Sequence, residues 1–110
     1  MARRIIDTTE TPAVAGRVRD NKPLSRYELK VDGRTAFVSY NRAPGVVTLT
    51  HTEVPEELAS HGIGTRLVRE VLDLVRADGD KVIPRCSFIV AYLRKHKELQ
   101  ELLSDPKDLE

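Results

Sequence analysis

Two glycines, Gly62 and Gly64, stand where an alternating β-type stretch gives way to a segment of helical periodicity. Glycine at such a junction lets a ligand approach the bare backbone. The unpaired amides and the positive dipole end of a helix favour an anion such as phosphate. The order of strand, glycine loop and helix therefore predicts a phosphate-binding site.

Ionisable side chains precede this loop in the strand predicted over residues 46–54, where His51 and Glu53 are separated by one residue. Strict alternation predicts one face made of Val47, Leu49, His51 and Glu53 and an opposite face made of Thr48, Thr50, Thr52 and Val54. The first face should change from apolar to ionisable as it nears the glycine loop. His51 and Glu53 are therefore candidate bases, although a strand histidine is more often a surface or hydrogen-bonded residue.

The strands that position these residues are predicted from alternation and turn signals. An alternating stretch over residues 27–31 is followed by Asp32-Gly33, which supplies a tight hairpin turn, and by a return strand over residues 35–40. A turn at Pro44-Gly45 leads to the strand over residues 46–54. The three strands predict an antiparallel meander.

The helices follow from wider apolar spacing. An amphipathic helix begins at the glycine loop and ends at Asp78-Gly79. The apolar stretch over residues 81–84 comes after this helix, so we expect it to lie parallel to the third strand. Ser87 is predicted to cap a second helix, and a short terminal helix is predicted over about residues 97–103. The fold class is therefore α+β.

Length and composition bound the function. The chain has 110 residues, enough for one domain, which we place at residues 23–104 between a flexible tail of residues 1–22 and a C-terminal tail of residues 105–110. Lysine and arginine number 18 against 17 acidic residues, a net charge of +1, so no nucleic acid or membrane partner is expected. The one cysteine, Cys86, excludes an internal disulfide framework and a zinc cluster, and no metal ion is expected.

Targeting signals are not recognised in the sequence. The N-terminus lacks the apolar core of a signal peptide, and no apolar run is long enough to span a bilayer. These features favour the cytoplasm. We expect a monomer or weak dimer.

Three segments in this order resemble the GNAT superfamily of acetyl-CoA-dependent N-acetyltransferases, in particular its very small single-domain members with a Pro-x-Cys motif. They are His51-Thr52-Glu53-Val54-Pro55, Gly62-Ile63-Gly64 and Pro84-Arg85-Cys86. The resemblance covers about residues 24–103. It implies a minimal GNAT-like fold, acetyl-CoA as cofactor and acetyl transfer to an amine acceptor that the sequence does not identify.

The resemblance also implies where the cofactor lies. In the superfamily the third and fourth strands splay apart, and the pantetheine arm pairs with free backbone of the third strand, where Val54 would face the thioester oxygen. Tyr92 would reach the cofactor sulfur from the following helix, although an aromatic at that spacing is more often part of the core. The diphosphate would bind main-chain groups of the loop formed by Ser60, His61, Gly62, Ile63, Gly64 and Thr65.

Cys86 lies just beyond the fourth strand, near the thioester that the resemblance implies. Its reference pKa of about 8.5 suits a proton donor to the coenzyme A thiolate or a nucleophile acting through an acetyl-cysteine. A lone cysteine is also commonly a small buried hydrophobic residue. The sequence leaves these three roles open.

The chain departs from the superfamily pattern in two places. The Arg/Gln that opens the diphosphate motif is replaced by Ala59, which removes a polar contact to the cofactor. Asp32-Gly33 leaves no room for the helices that usually separate the first two strands and cover the acceptor. An open acceptor side favours an extended or macromolecular amine.

Other functions fit less well. One alternative is a coenzyme A or acyl-CoA binding module, which would have the same fold but catalyse acetyl transfer weakly or not at all. A nucleic-acid-binding domain is disfavoured by near-neutral charge and the lack of a basic-aromatic strand surface. A dinucleotide-binding Rossmann domain is disfavoured because the glycine loop follows an antiparallel meander.

Overall fold

A five-stranded mixed sheet with strands in sequential order forms the frame of the computed structural model, which describes residues 16–109. The first four strands are antiparallel to their neighbours, and the fifth is parallel to the fourth. The α+β class and the parallel final strand predicted from the sequence are therefore confirmed. The strands are β1 (Arg19–Asn21), β2 (Arg26–Val31), β3 (Arg34–Ala43), β4 (Val46–Glu53) and β5 (Lys81–Pro84).

Two α-helices, α1 (Ile63–Ala77) and α2 (Ser87–Lys95), follow β4 and β5 respectively. Helix α1 begins after Gly62, whose φ of 73° lies in the left-handed region that favours glycine. Helix α2 begins one residue earlier than predicted. Cys86, with extended backbone, is its cap residue, so the prediction of Ser87 as N-cap is wrong.

Shorter 3-10 segments complete the described residues. They are Lys22–Leu24, Glu56–His61, Lys97–Leu102 and Pro106–Leu109. No helix within residues 16–109 combines the length and apolar character needed to cross a membrane.

Helix α1 covers one face of the sheet because its apolar stripe matches the inward side chains of the strands. Leu67, Val71 and Val75 of the stripe are completely buried, as are Leu29 and Leu49 of the sheet. Among the described helices, α1 is the one that packs on β2 and β3. The opposite side of the sheet, called the open face here, carries Arg19, Arg26, Glu28, Lys30, Phe37, Ser39, His51 and Glu53, all half-buried or exposed.

Strand β1 adds to the predicted meander. The sequence assigns its residues to the N-terminal tail, whereas the structure pairs Arg19 with Glu28 of β2. Just before it, the Val18 amide donates a hydrogen bond of 2.9 Å to the Glu70 carboxylate of α1. Residues 1–15 of the predicted tail lie outside the described residues.

Strand β4 contains a bulge that changes which side chains share a face. Leu49 pairs with Tyr40 and His51 pairs with Ser39, so Thr50 is an extra residue. The alternation shifts by one at this point. The prediction that Val47, Leu49, His51 and Glu53 share one face is therefore wrong. Val47 and Leu49 face α1, whereas His51 and Glu53 lie on the open face.

Candidate active site

A gap opens where β4 and β5 stop pairing. Their last paired residues are Leu49 and Pro84, and the Arg85 amide donates the final hydrogen bond to the Leu49 carbonyl at 2.8 Å. Strand β4 continues to Glu53, paired there only with β3. The splay that the resemblance implies is thus present, and within residues 16–109 no strand pairs with this edge of β4 beyond Leu49.

A cleft of about 230 Å³ lies at this free end of β4. The ends of four elements meet there: β4, the 3-10 segment Glu56–His61, and the first turns of α1 and α2. The lining residues are Thr52, Val54, Ala59, Gly64 and Phe88. Val54 and Gly64 come from the set predicted from the sequence, and Ala59 is the position where the superfamily has a longer polar side chain.

The glycine loop forms one wall of the cleft. Gly62 has no side chain to cap α1, and the first hydrogen bond of the helix runs from the Arg66 amide to the Gly62 carbonyl at 3.0 Å. The amides of residues 63–65 therefore precede the helical hydrogen-bond ladder and point toward its open end. Ser60, His61 and Thr65 are exposed beside them, and Ile63 is buried. This arrangement suits an anionic group such as a diphosphate.

Phe88 closes the cleft opposite the glycine loop. A Cβ atom placed on Gly64 would lie 3.0 Å from Cζ of Phe88, so the ring packs tightly against the helix start and would have to shift to accommodate a larger residue there. Phe88 is nevertheless 43% exposed, which is unusual for a phenylalanine. Sequence reasoning places Phe88 only among the apolar residues of α2. Its position two residues after Cys86 is the signal that would have included it in the site.

Cys86 is partly buried beside the cleft, where it contacts the lining residue Thr52. Its thiol donates a hydrogen bond to the Thr52 hydroxyl at 3.4 Å. Burial raises the pKa of the Cys86 thiol, but the Thr52 hydroxyl and the amides of Phe88, Ile89 and Thr52 lower it by more, so the net pKa lies below its usual value. The α2 amides act here as nearby dipoles, since the Ile89 amide donates its own hydrogen bond to the Cys86 carbonyl. A thiol at a helix start with a lowered pKa is suited to proton transfer or nucleophilic attack.

The family model of the GCN5-related N-acetyltransferases matches residues 26–102, from the start of β2 to the 3-10 segment that follows α2. The chain belongs to this family. The matched range contains the splayed strands, the glycine loop and Cys86, so the features that resemble the GNAT superfamily lie inside the shared domain. Among curated proteins, none matches the chain.

His51 and Glu53 of the GNAT domain form a pair outside the cleft. Nε2 of His51 lies 2.9 Å from Oε1 of Glu53, and the two side chains are 60% and 57% exposed. The imidazole lies beside Phe37, with ring centroids 6.4 Å apart. Because of the bulge at Thr50, this pair and the thiol of Cys86 approach β4 from opposite faces of the sheet.

Tyr92 lies one helical turn beyond Phe88, outside the residues that line the cleft. Its ring is 8% exposed and stacks on His96 with centroids 4.0 Å apart. Its phenol oxygen interacts with the Arg69 guanidinium of α1, which raises the pKa of Arg69. The structure therefore brings Cys86, Thr52, Val54 and Gly64 together, and it places Tyr92 between the two helices of the GNAT domain.

Proposed function

We propose that the chain transfers an acetyl group from acetyl-CoA to an amine. The observation that carries this proposal is the cleft between the free edge of β4 and the open start of α1, with the thiol of Cys86 hydrogen-bonded to Thr52 of its lining. Membership of a family of N-acetyltransferases supports the same chemistry.

The residues present fit coenzyme A. The amides of residues 63–65 would hold the diphosphate, and the unpaired edge of β4 near Val54 would accept the amide groups of the pantetheine arm. Ala59 supplies no side-chain donor, so the backbone carries most of the phosphate recognition. When bound, acetyl-CoA supplies the activated acetyl thioester.

Cys86 is proposed to move a proton beside the cleft, next to Thr52. Its S–H group is oriented by the Thr52 hydroxyl, and this hydroxyl with the nearby amides lowers the pKa of the thiol below its usual value, so it can donate a proton to a departing thiolate. The same features would support a nucleophilic role. Detection of an acetyl group on Cys86 distinguishes the two roles, because only the nucleophile becomes acetylated.

His51 and Glu53 are proposed to take the proton from the amine. A lysine-type amine has a pKa of about 10.4 and is mostly protonated at neutral pH, so it needs a base before it can attack. The hydrogen-bonded pair is exposed on the open face. An amine arriving from that side would meet the pair without passing through the cleft.

The proposal is tested by ligand binding followed by turnover. Thermal shift and native mass spectrometry are carried out with acetyl-CoA, with coenzyme A and with ATP as a control. Stabilisation by the first two only is expected. Thiol release is then followed with acetyl-CoA and a panel of amines. Binding without thiol release would leave a coenzyme A binding module, and no binding would reject the proposal.

A further inference from the structure

The open face of the sheet carries a row of side chains that crosses four strands. The pairings Arg19 to Glu28, Glu28 to Phe37 and Phe37 to Glu53 place these residues side by side. Paired residues on neighbouring strands share a face. The row therefore runs without interruption from Glu53, at the splayed end of β4, to Arg19 on β1.

The middle of the row is formed by the aromatic ring of Phe37. The Arg26 guanidinium lies 4.3 Å from the centre of the Phe37 ring, and its Nε donates to the Glu28 carboxylate at 2.6 Å. Phe37 is half-buried on the open face. An exposed aromatic supported by a stacked guanidinium can pack against an extended peptide.

The far end of the row opens into a cavity of about 310 Å³ on β1 and β2, lined among others by Arg17, Arg19 and Lys30. Two carboxylates also line it, and both are already bound. Glu28 accepts from Arg26 and Asn21, and Asp20 accepts from Tyr40 and Arg42. The exposed cations Arg19 and Lys30 therefore give this end an excess of positive charge, opposite in sign to the carboxylate of Glu53 at the other end.

We propose that the open face docks an acidic peptide that carries the acceptor amine. This inference rests on the proposed function and names the acceptor class. The amine would lie beside Glu53 and His51, and a carboxylate of the peptide would lie between Arg19 and Lys30. The two ends are three strand spacings apart, roughly 14 Å, which an extended peptide covers with about four residues. An acidic residue about four positions from the acceptor lysine is therefore the recognised feature.

The test uses matched synthetic peptides with one lysine and either Glu or Gln four positions away on each side. Binding is measured by fluorescence anisotropy, and turnover is measured by thiol release with acetyl-CoA. The wild type is expected to prefer the Glu peptides about fivefold in both measurements. The variant Arg19→Glu/Lys30→Glu should lose this preference. Lys107→Glu changes an exposed lysine of the C-terminal segment and should keep it.

The outcomes separate the docking surface from the chemistry. Equal use of Glu and Gln peptides by the wild type, or a preference that survives in the double variant, overturns the inference and leaves the transferase intact. Selective binding without thiol release supports the docking surface and rejects the transferase. Binding of a single-stranded oligonucleotide that displaces the Glu peptide overturns the inference in favour of a nucleic acid. Should the charge reversals unfold the protein, Arg19→Gln/Lys30→Gln serves in the same comparison, with Lys107→Gln as control.

Discussion

Beyond Thr50, the side chains of β4 alternate between two different environments: a partly buried one on the side of α1 and a solvent-exposed one on the open face. On the side of α1, Thr52 lines the cleft and accepts a hydrogen bond from the partly buried thiol of Cys86. On the open face, His51 and Glu53 bind each other in solvent. One strand thus presents an acid on one side and candidate bases on the other, which would let donor and acceptor approach from different directions.

The largest effect should come from the cleft side. Cys86→Ala removes the proposed proton donor, and we expect kcat to fall about 10³-fold. Binding of coenzyme A should change little, because the glycine loop is untouched. Thiol release and thermal shift measure the two properties separately.

The contradictory result for Cys86 is equally clear. If Cys86→Ala keeps full kcat, the thiol is structural and the cleft contributes only binding. Cys86→Ser is the matched control, because serine keeps the shape and a hydrogen-bond donor toward Thr52 but is a much weaker acid and nucleophile than the thiol.

The open face should show a smaller effect with a different pH signature. Glu53→Gln and His51→Gln each remove a proposed base, and we expect kcat/KM to fall about 10²-fold. The loss should shrink as pH rises, because a larger share of the amine is then deprotonated without help. Rates with one peptide amine between pH 6 and pH 10 measure this dependence, and a loss that is constant across this range would reject the role.

The start of α1 and the parallel strand β5 could be predicted from the sequence, but the bulge in β4 could not. Gly62 and Gly64 mark the helix start, and the stretch ending at Pro84 marks the parallel strand, because glycine conformations and apolar periodicity are local properties. The extra residue Thr50 depends on how β4 pairs with β3, which alternation within β4 does not reveal. As a result the sequence assigned His51 and Glu53 to the same face as Leu49.

Long-range contacts and short elements were missed for related reasons. Phe88 fits the apolar pattern of α2, and only the folded chain shows that its ring meets Gly64. The three residues of β1 are too few to show a period. Their place at the edge of the sheet depends on pairing with β2 and on anchoring of Val18 by Glu70.

A third prediction concerns how tightly Phe88 seals the cleft. Gly64→Ala places a methyl group 3.0 Å from the ring, and the crowding should cost about 1 kcal/mol of unfolding free energy after the gain in helix propensity. In a Phe88→Ala background the same change should stabilise the protein by about 1 kcal/mol, because the remaining neighbour, Cγ2 of Val54, lies at an ordinary contact distance of 3.6 Å. Urea denaturation of the wild type, the two single variants and the double variant completes this double-mutant cycle. Equal effects of Gly64→Ala in both backgrounds would show that the Phe88 ring moves away freely.

The smallest effect should come from Thr52, which touches the thiol without being proposed to react. Burial raises the pKa of Cys86, and the Thr52 hydroxyl is the main group that lowers it. Thr52→Val keeps the shape and removes the hydroxyl, so the thiol pKa should rise and alkylation by iodoacetamide at neutral pH should slow severalfold. Thr50→Val, on the open face, is the control. If both variants react like the wild type, the backbone amides of Phe88, Ile89 and Thr52, and not the Thr52 hydroxyl, lower the pKa of Cys86.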